Sequence, residues 1–433
     1  VRILAPQPTM KFFLDKLFFR STNLDNISYD IRNLTNNTPV KRIFDIINSI
    51  SDESEIRFVG GCIRKIINKE KVDDIDLATN LEPYEVCEAL EKNEIKYFKT
   101  GIDHGTITAV VNEFKFEITT LREDVSTDGR HANVKFSKDW KKDASRRDFT
   151  INSIYSDKEG NLFDPFNGKK DLENGQVNFI GDVEKRIKED YLRILRYLRF
   201  FLNYSKQPHH EGVLRKIKQN IGHISNLSKE RMLDELKKTI KLENLEKLSK
   251  DRDSLELICL IFPELKNLKI FSNLTSYKRK ILKSVDFIFF LSLLIIDEKD
   301  NVDYFLYKFS LSKKDQKRIK IIDNFFKEKF NFKTSIENKF NNIFYFDGKQ
   351  AVVDIINFRL IKSKKPDNFL LELRENYQKK EVPVMPIGAN VLMTKYKIPE
   401  GKQLGVKLKI IEKKWVDNNF KISDNQIDYI LNN

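Results

Sequence analysis

Cysteine is scarce in this chain. The 433 residues hold three, Cys62, Cys87 and Cys259, far apart and with no C-x-x-C pair. That excludes a disulfide framework and a cysteine-built structural zinc site, and it points to a reducing compartment. Long apolar runs are lacking too. The longest, residues 287–296, falls far short of the roughly 20 residues that span a bilayer as a helix. The N-terminal VRILAPQPTMKFFLDKLFF has an early proline and no small-residue cleavage site after its apolar part, so no signal peptide is expected. Met10 is the expected natural start, and a cytoplasmic protein the expected product. There is no internal repeat and no low-complexity tract.

What the chain does have is positive charge. Lysine and arginine outnumber aspartate and glutamate by 78 to 64, a formal net charge of +14. Such a balance fits a nucleic-acid partner. Abundant lysine together with isoleucine, asparagine and phenylalanine is also what an AT-rich genome produces, so charge alone does not decide the matter. The length allows two to four domains and a large core.

Residues 59–80, VGGCIRKIINKEKVDDIDLATN, concentrate the chemistry. Gly60 and Gly61 follow a short apolar run and precede a helix-like segment with Ile63, Ile66 and Ile67 on one side. Glycine lets backbone N–H groups approach an anion, and a helix N-terminus favours negative charge. Asp74 and Asp76 flank Ile75. A strand over 74–77 puts both carboxylates on one face and Ile75 and Leu77 on the other. Paired carboxylates suit a hard cation such as Mg2+. Taken singly, the glycines are an ordinary turn and Asp-x-Asp an ordinary exposed strand. Together they read as phosphoryl or nucleotidyl transfer.

The rest of the chain is read in order. Residues 1–40 form a peripheral extension, 41–50 a buried helix and 83–92 an amphipathic helix. Short β-like runs follow at 107–111 and 114–120, so the first 155 residues read as α/β with a small mixed sheet. Glu117, in the second run, supplies a third carboxylate on a neighbouring strand. Asp128-Gly129-Arg130 is a turn, or part of a mobile loop that carries Arg122, Asp124 and Arg130 beside the metal site. Arg146 and Arg147 precede Asp148, Phe149 and Asn152; the backbone enters the core there, which fixes two guanidiniums where they suit phosphate oxygens. Asn152 meets a ribose hydroxyl or caps a turn. Residues 180–204 read as one long helix. Glu189, Asp190, Arg193, Arg196 and Arg199 recur on it at steps of three or four, either as a nucleotide-facing stripe or as a surface face of internal ion pairs. Beyond Ser205 the pattern is almost wholly helical. Ser228 is a plausible N-cap, residues 383–388 a linker, and the last long helix carries Lys407, Lys409, Lys413 and Lys414.

The ordered clusters resemble the class II tRNA nucleotidyltransferases, the CCA-adding enzymes that share a head with bacterial poly(A) polymerases. VGGCIR and DIDLAT look like their metal motif, RRDFTIN their second motif and EDYLR their nucleotide-reading motif. TGIDHGTITAV, FEITTLREDVSTDGRH and DPFNGKKDL are similar to further family segments. The resemblance is clear over residues 56–240 and returns weakly in PVMPIGANVLM and IPEGKQLG. It implies a seahorse-like architecture: an N-terminal extension (1–40), an α/β nucleotidyltransferase head (41–156), and an all-α neck (157–222), body (223–330) and tRNA-binding tail (331–433). It implies that Asp74 and Asp76 bind Mg2+ with Glu117 as the third catalytic carboxylate. It implies that Gly60, Gly61 and Arg64 hold the triphosphate, and Arg146, Arg147, Asp148 and Asn152 phosphate and sugar. Asp190 and Arg193, oriented by Glu189 and Arg196, would read the amine and ring nitrogen that cytosine and adenine share. The implied partners are tRNA, CTP and ATP, without a membrane or an obligate protein partner. Lys65 departs from the family, which usually has Asp there. The rival readings are a poly(A) polymerase, an enzyme adding only C or only A, and a catalytically silent RNA-binding protein on the same scaffold.

Overall fold

A computed structural model describes residues 24–127, 132–328 and 336–432. The chain divides into two compact units, Val1–Leu236 and Lys237–Asn433.

The first unit is built on a seven-stranded mixed sheet. Its strands are β1 (Ile56–Val59), β2 (Asp76–Thr79), β3 (Lys96–Gly101), β4 (Thr106–Val111), β5 (Phe114–Thr120), β8 (Tyr155–Ser156) and β9 (Leu162–Phe163). The order across the sheet is β3-β4-β5-β2-β1-β8-β9, and β6 (Arg122–Thr127) and β7 (Ala132–Phe136) form a separate two-stranded ribbon. β2 and β5 run parallel, with Asp76 opposite Glu117 and Leu77 opposite Ile118. Alternation along β5 sends Phe116 and Ile118 into the core and leaves Glu117 facing out, as the two-residue period of a strand requires.

Helices cover the sheet. α1 (Leu24–Asn37) and α2 (Val40–Asn48) are followed by α3 (Gly61–Ile67) and α4 (Pro83–Lys92). Ile27, Ile31 and Leu34 of α1 are buried in one cluster with Phe44, Phe58, Ile63 and Phe116. The expected peripheral extension is therefore corrected from Leu24 onward: that stretch is part of the head core, because its apolar side has a sheet-backed surface to cover. The strand expected over 74–77 starts at Asp76, while Ile75 is buried and Asp74 exposed just before it.

Past the sheet come α5 (Trp140–Arg146), α6 (Gly168–Asn174), α7 (Val183–Glu189), α8 (Leu192–Tyr204), α9 (Glu211–Asn220) and α10 (Lys229–Thr239). The single helix expected over 180–204 is two helices. Asp190 is extended (φ −155°, ψ 107°) and ends α7, and α8 begins two residues later. Ser228 caps α10, its Oγ accepting from the Arg231 N–H at 3.4 Å.

The second unit is helical throughout its described residues. The Phe287–Ile295 helix is buried almost all round, as a helix without a polar face must be. Near the C-terminus Leu392, Leu404, Ile411, Ile427 and Leu431 form their own cluster. Among the described residues no helix is long and apolar enough to cross a membrane.

Candidate active site

The parallel pairing of β2 with β5 brings Asp76 and Glu117 side by side. Burial, then the charges of Glu117 and Asp74, push the Asp76 carboxyl up to about 6, against the opposing pull of Arg147 and Lys65. Burial and neighbouring carboxylates thus both disfavour the bare Asp76 charge, an environment in which a bound cation would favour it. Among the described residues no group of three or more His, Cys, Asp and Glu side chains is placed to hold an ion together. Carboxylates on one face suit a divalent cation, whose remaining positions water and substrate phosphate can fill. Asp74 and Asp76 are the residues that would hold it.

The glycine turn lies against these carboxylates. Gly60 has φ +66° and ψ −112°, a conformation open in practice only to glycine. A β-carbon there would sit 3.4 Å from Arg147 Nη1. At Gly61 it would sit 3.8 Å from Asp76 Oδ2. The Gly-Gly pair, Asp76 and Arg147 are therefore immediate neighbours. Arg64, one turn into α3, is buried. Its guanidinium donates to Asn152 Oδ1 and lies 4.8 Å from the Phe200 ring centroid and 5.3 Å from that of Tyr204. Lys65 pairs with Asp73, so the departure from the family at this position has its own local partner.

The paired arginines are braced from behind by a residue that sequence reading missed. Asp143 is buried; its Oδ1 accepts from Arg146 Nε at 2.7 Å and its Oδ2 from Arg147 Nη2 at 3.2 Å. Tyr155 OH donates to Asp143 Oδ2 at 2.6 Å and accepts from Arg147 Nε at 2.9 Å. Burial pushes the Asp143 carboxyl up, but Arg147, Arg146 and Tyr155 outweigh it and hold it down at about 2. The available signal was local: an acid three and four residues before two arginines in a helical stretch. Arg122 is turned to the backbone, its guanidinium donating to the His104 carbonyl, while its own N–H donates to Asp143 at 3.3 Å.

Asp148 and Asn152 look inward. Asp148 Oδ1 accepts from the Phe149 N–H and from Asn152 Nδ2, each at 2.9 Å. Asp148 Oδ2 accepts from Arg196 Nε at 2.6 Å. Burial opposes the charge on Asp148, yet Arg196 and these hydrogen bonds hold its carboxyl down at about 2. Asn152 is thus the link between Arg64 and Asp148.

The helix break changes the geometry expected of Asp190 and Arg193. They do not share one helical face. Asp190 Oδ1 accepts from the Leu192 N–H at 3.1 Å, and its Oδ2 from Arg231 Nη2 of α10 at 2.7 Å. Arg193 Nη1 donates to Glu189 Oε2 at 2.6 Å and to the Arg186 carbonyl at 2.8 Å. Arg186, also missed in the sequence, donates to the carbonyls of Arg146 and Arg147. Glu235 accepts from Arg199 Nε at 2.7 Å and lies 3.7 Å from Arg196. The fold thus brings Gly60, Gly61, Asp76 and Arg147 together beside Glu117, and links Arg64 through Asn152 and Asp148 to Arg196. Asp128 and Arg130 lie outside the described residues.

This arrangement defines a nucleotidyltransferase-type head: outward carboxylates on adjacent strands, a glycine turn against them, and arginines braced at the rim. Residues 56–178 match the poly A polymerase head domain. The chain is 46% identical over 194 residues to the mitochondrial CCA tRNA nucleotidyltransferase 1 of Homo sapiens, a match covering 44% of this chain and 45% of that protein. It is 34% identical over 264 residues to the CCA-adding enzyme of Staphylococcus haemolyticus (strain JCSC1435), covering 60% and 62% respectively. The matches thus span less than two thirds of these relatives' lengths. The fold is similar to that of Bacillus stearothermophilus CCA-adding enzyme solved in complex with CTP, with a TM-score of 0.66 and 21% identity, covering 91% of this chain and 97% of the other. The chain is thus similar to CCA-adding tRNA nucleotidyltransferases, and residues 56–178 to the poly A polymerase head domain.

Proposed function

We propose that this protein is an enzyme that adds CCA to the 3′ end of tRNA without a nucleic-acid template, using CTP and ATP and releasing pyrophosphate. The observation that carries the reading is the placement of Asp76 against Glu117 across β2 and β5, beneath a glycine turn whose neighbour is Arg147. The curated relatives to which the chain is similar are named for CCA addition, which favours tRNA over other acceptors.

On this reading Gly60, Gly61 and Arg147 receive the triphosphate at the carboxylate edge. Asp143 and Tyr155 fix the Arg147 guanidinium, so little reorganisation accompanies binding. Mg2+ held by Asp74 and Asp76 would supply Lewis-acid activation of the RNA 3′ hydroxyl and neutralise charge on the pyrophosphate. Asp190 accepts from the exocyclic amine and Arg193 donates to the ring nitrogen. Uracil and guanine present the reverse pattern and leave those groups unpaired, at about 1–3 kcal/mol each. Arg122, Asp128 and Arg130 belong to the segment proposed to adjust the pocket between C and A. Residues 157–222 serve as neck, 223–330 as body and 331–433 as tail, the last two contacting tRNA. A cytoplasmic location accords with three free cysteines.

The test is incubation with tRNA lacking CCA and each labelled nucleotide. Two C residues followed by one A are expected. A ladder of A would indicate a poly(A) polymerase, addition of only C or only A a partial enzyme, and RNA binding without incorporation a silent scaffold. The TGIDHGTITAV stretch argues against poly(A) synthesis, because it lacks the basic run those enzymes tend to carry there.

A further inference from the structure

We infer that Arg231 is a positioning residue for nucleotide choice: it holds Asp190 away from Arg193, so that acceptor and donor stay open to a base. The inference rests on the reading of Asp190 and Arg193 given above and adds a residue from a different helix.

Asp190 is not held by a helix of its own. Its backbone is extended at the break between α7 and α8, and its side chain has two tethers. One is the Leu192 N–H at 3.1 Å; the other is Arg231 Nη2 at 2.7 Å. Each carboxylate oxygen can accept more than one hydrogen bond, so both retain acceptor capacity while tethered. The Asp190 side chain is 21% exposed and that of Arg231 28%, which leaves the carboxylate within reach of a ligand. Arg193 is treated alike. Among the described residues its hydrogen bonds run from Nη1, to Glu189 and to the Arg186 carbonyl, and its Nε and Nη2 are further donors.

Asp190 and Arg193 are oppositely charged and already joined through the backbone, the Arg193 N–H donating to the Asp190 carbonyl at 3.0 Å. Left to themselves, a carboxylate and a guanidinium this close would pair and satisfy each other. In the structure each is engaged elsewhere, Asp190 by Arg231 and Arg193 by Glu189. The two counter-ions keep a selective edge from closing on itself. Arg231 stands one helical turn before Glu235, and Glu235 docks α10 independently through Arg199. Removing the Arg231 side chain therefore leaves α10 anchored.

The experiment measures equilibrium binding of CTP, ATP, UTP and GTP to the full chain, wild type and with Arg231→Ala or Arg231→Lys, alongside tRNA affinity and melting temperature. Arg231→Ala is expected to lower the ratio of CTP to UTP affinity, and of ATP to GTP affinity, at least about fivefold, the lower end of what one unpaired polar group costs, with tRNA affinity unchanged. Arg231→Lys keeps the charge and should restore most of the ratio. Unchanged ratios in Arg231→Ala, or an equal fall for all four nucleotides, would overturn the role of Arg231. A wild-type protein without preference for CTP over UTP would instead overturn the reading of Asp190 and Arg193 itself.

Discussion

Arg196 Nε donates to Asp148 Oδ2 at 2.6 Å, tying α8 to the segment that follows the paired arginines. The bond joins the segment after Arg146 and Arg147 to the helix that begins beside Asp190. Asp148 is buried, so its charge depends on this partner and on the amide donors beside it.

Removing the partner should be costly. Arg196→Ala leaves a buried carboxylate without its counter-ion, a change that typically costs about 3–5 kcal/mol. The Arg196 side chain is 31% exposed and Asp148 keeps two other donors, so a loss of about 2–3 kcal/mol is expected. Urea unfolding at neutral pH measures it. A loss below about 0.5 kcal/mol would mean that the pair behaves as a surface ion pair.

Acid should act on Asp143. Its carboxyl is held at about 2 in the fold, against about 3.9 in an unfolded chain. A depressed folded value stabilises above the unfolded value, and the contribution disappears as pH falls from about 4 to about 2. The difference corresponds to roughly 2–3 kcal/mol. Asp143→Asn should therefore be less stable than wild type at about pH 6, and the two should converge as pH approaches about 2. Unfolding curves at about pH 6, 4 and 3 test this; a gap that stays constant would remove Asp143 from the acid response.

The carboxylates should separate chemistry from RNA binding. Asp74→Ala and Asp76→Asn are each expected to lower incorporation of both CTP and ATP by at least about 10³-fold, the rate equivalent of the several kcal/mol that metal assistance supplies. Affinity for tRNA should stay nearly that of wild type. Near-wild-type turnover at saturating Mg2+ in either variant would contradict the metal assignment.

The Lys402–Asp417 helix offers a test of the RNA footprint. Lys402, Lys409, Lys413 and Lys414 are exposed. The acids on this helix turn inward, Glu412 accepting from Tyr345 OH and Asp417 from Asn342 Nδ2, both at 2.8 Å. The charged groups left exposed on this helix are lysines. Replacing the four by glutamine should weaken tRNA binding and flatten its dependence on salt, by about 0.7–0.9 in log–log slope for each phosphate that is no longer neutralised. Nucleotide affinity should not change. An unaltered slope would assign the lysines to composition rather than to RNA.

The sequence by itself determined the parts of this protein that depend on short-range pattern. The β-like run over 114–120 put Glu117 on a strand neighbouring the paired carboxylates, the Gly60-Gly61 pair marked the turn, and the order of Asp74, Asp76, Arg146, Arg147, Asp190 and Arg193 pointed to the family. What it could not determine were partners set by distant chain segments. Asp143 is buried because Tyr155 arrives on β8 to share its charge with Arg147. Asp190 leaves the helix and faces Arg231, 41 residues later, where local spacing alone would have paired it with Arg193. Residues from Leu24 onward join the head core because a sheet surface is there to receive them. Helical and strand periods are properties of neighbours in sequence, so they can be read directly. The partner of a buried charge is chosen by whichever segment the fold brings within hydrogen-bonding distance, and only the tertiary structure decides that.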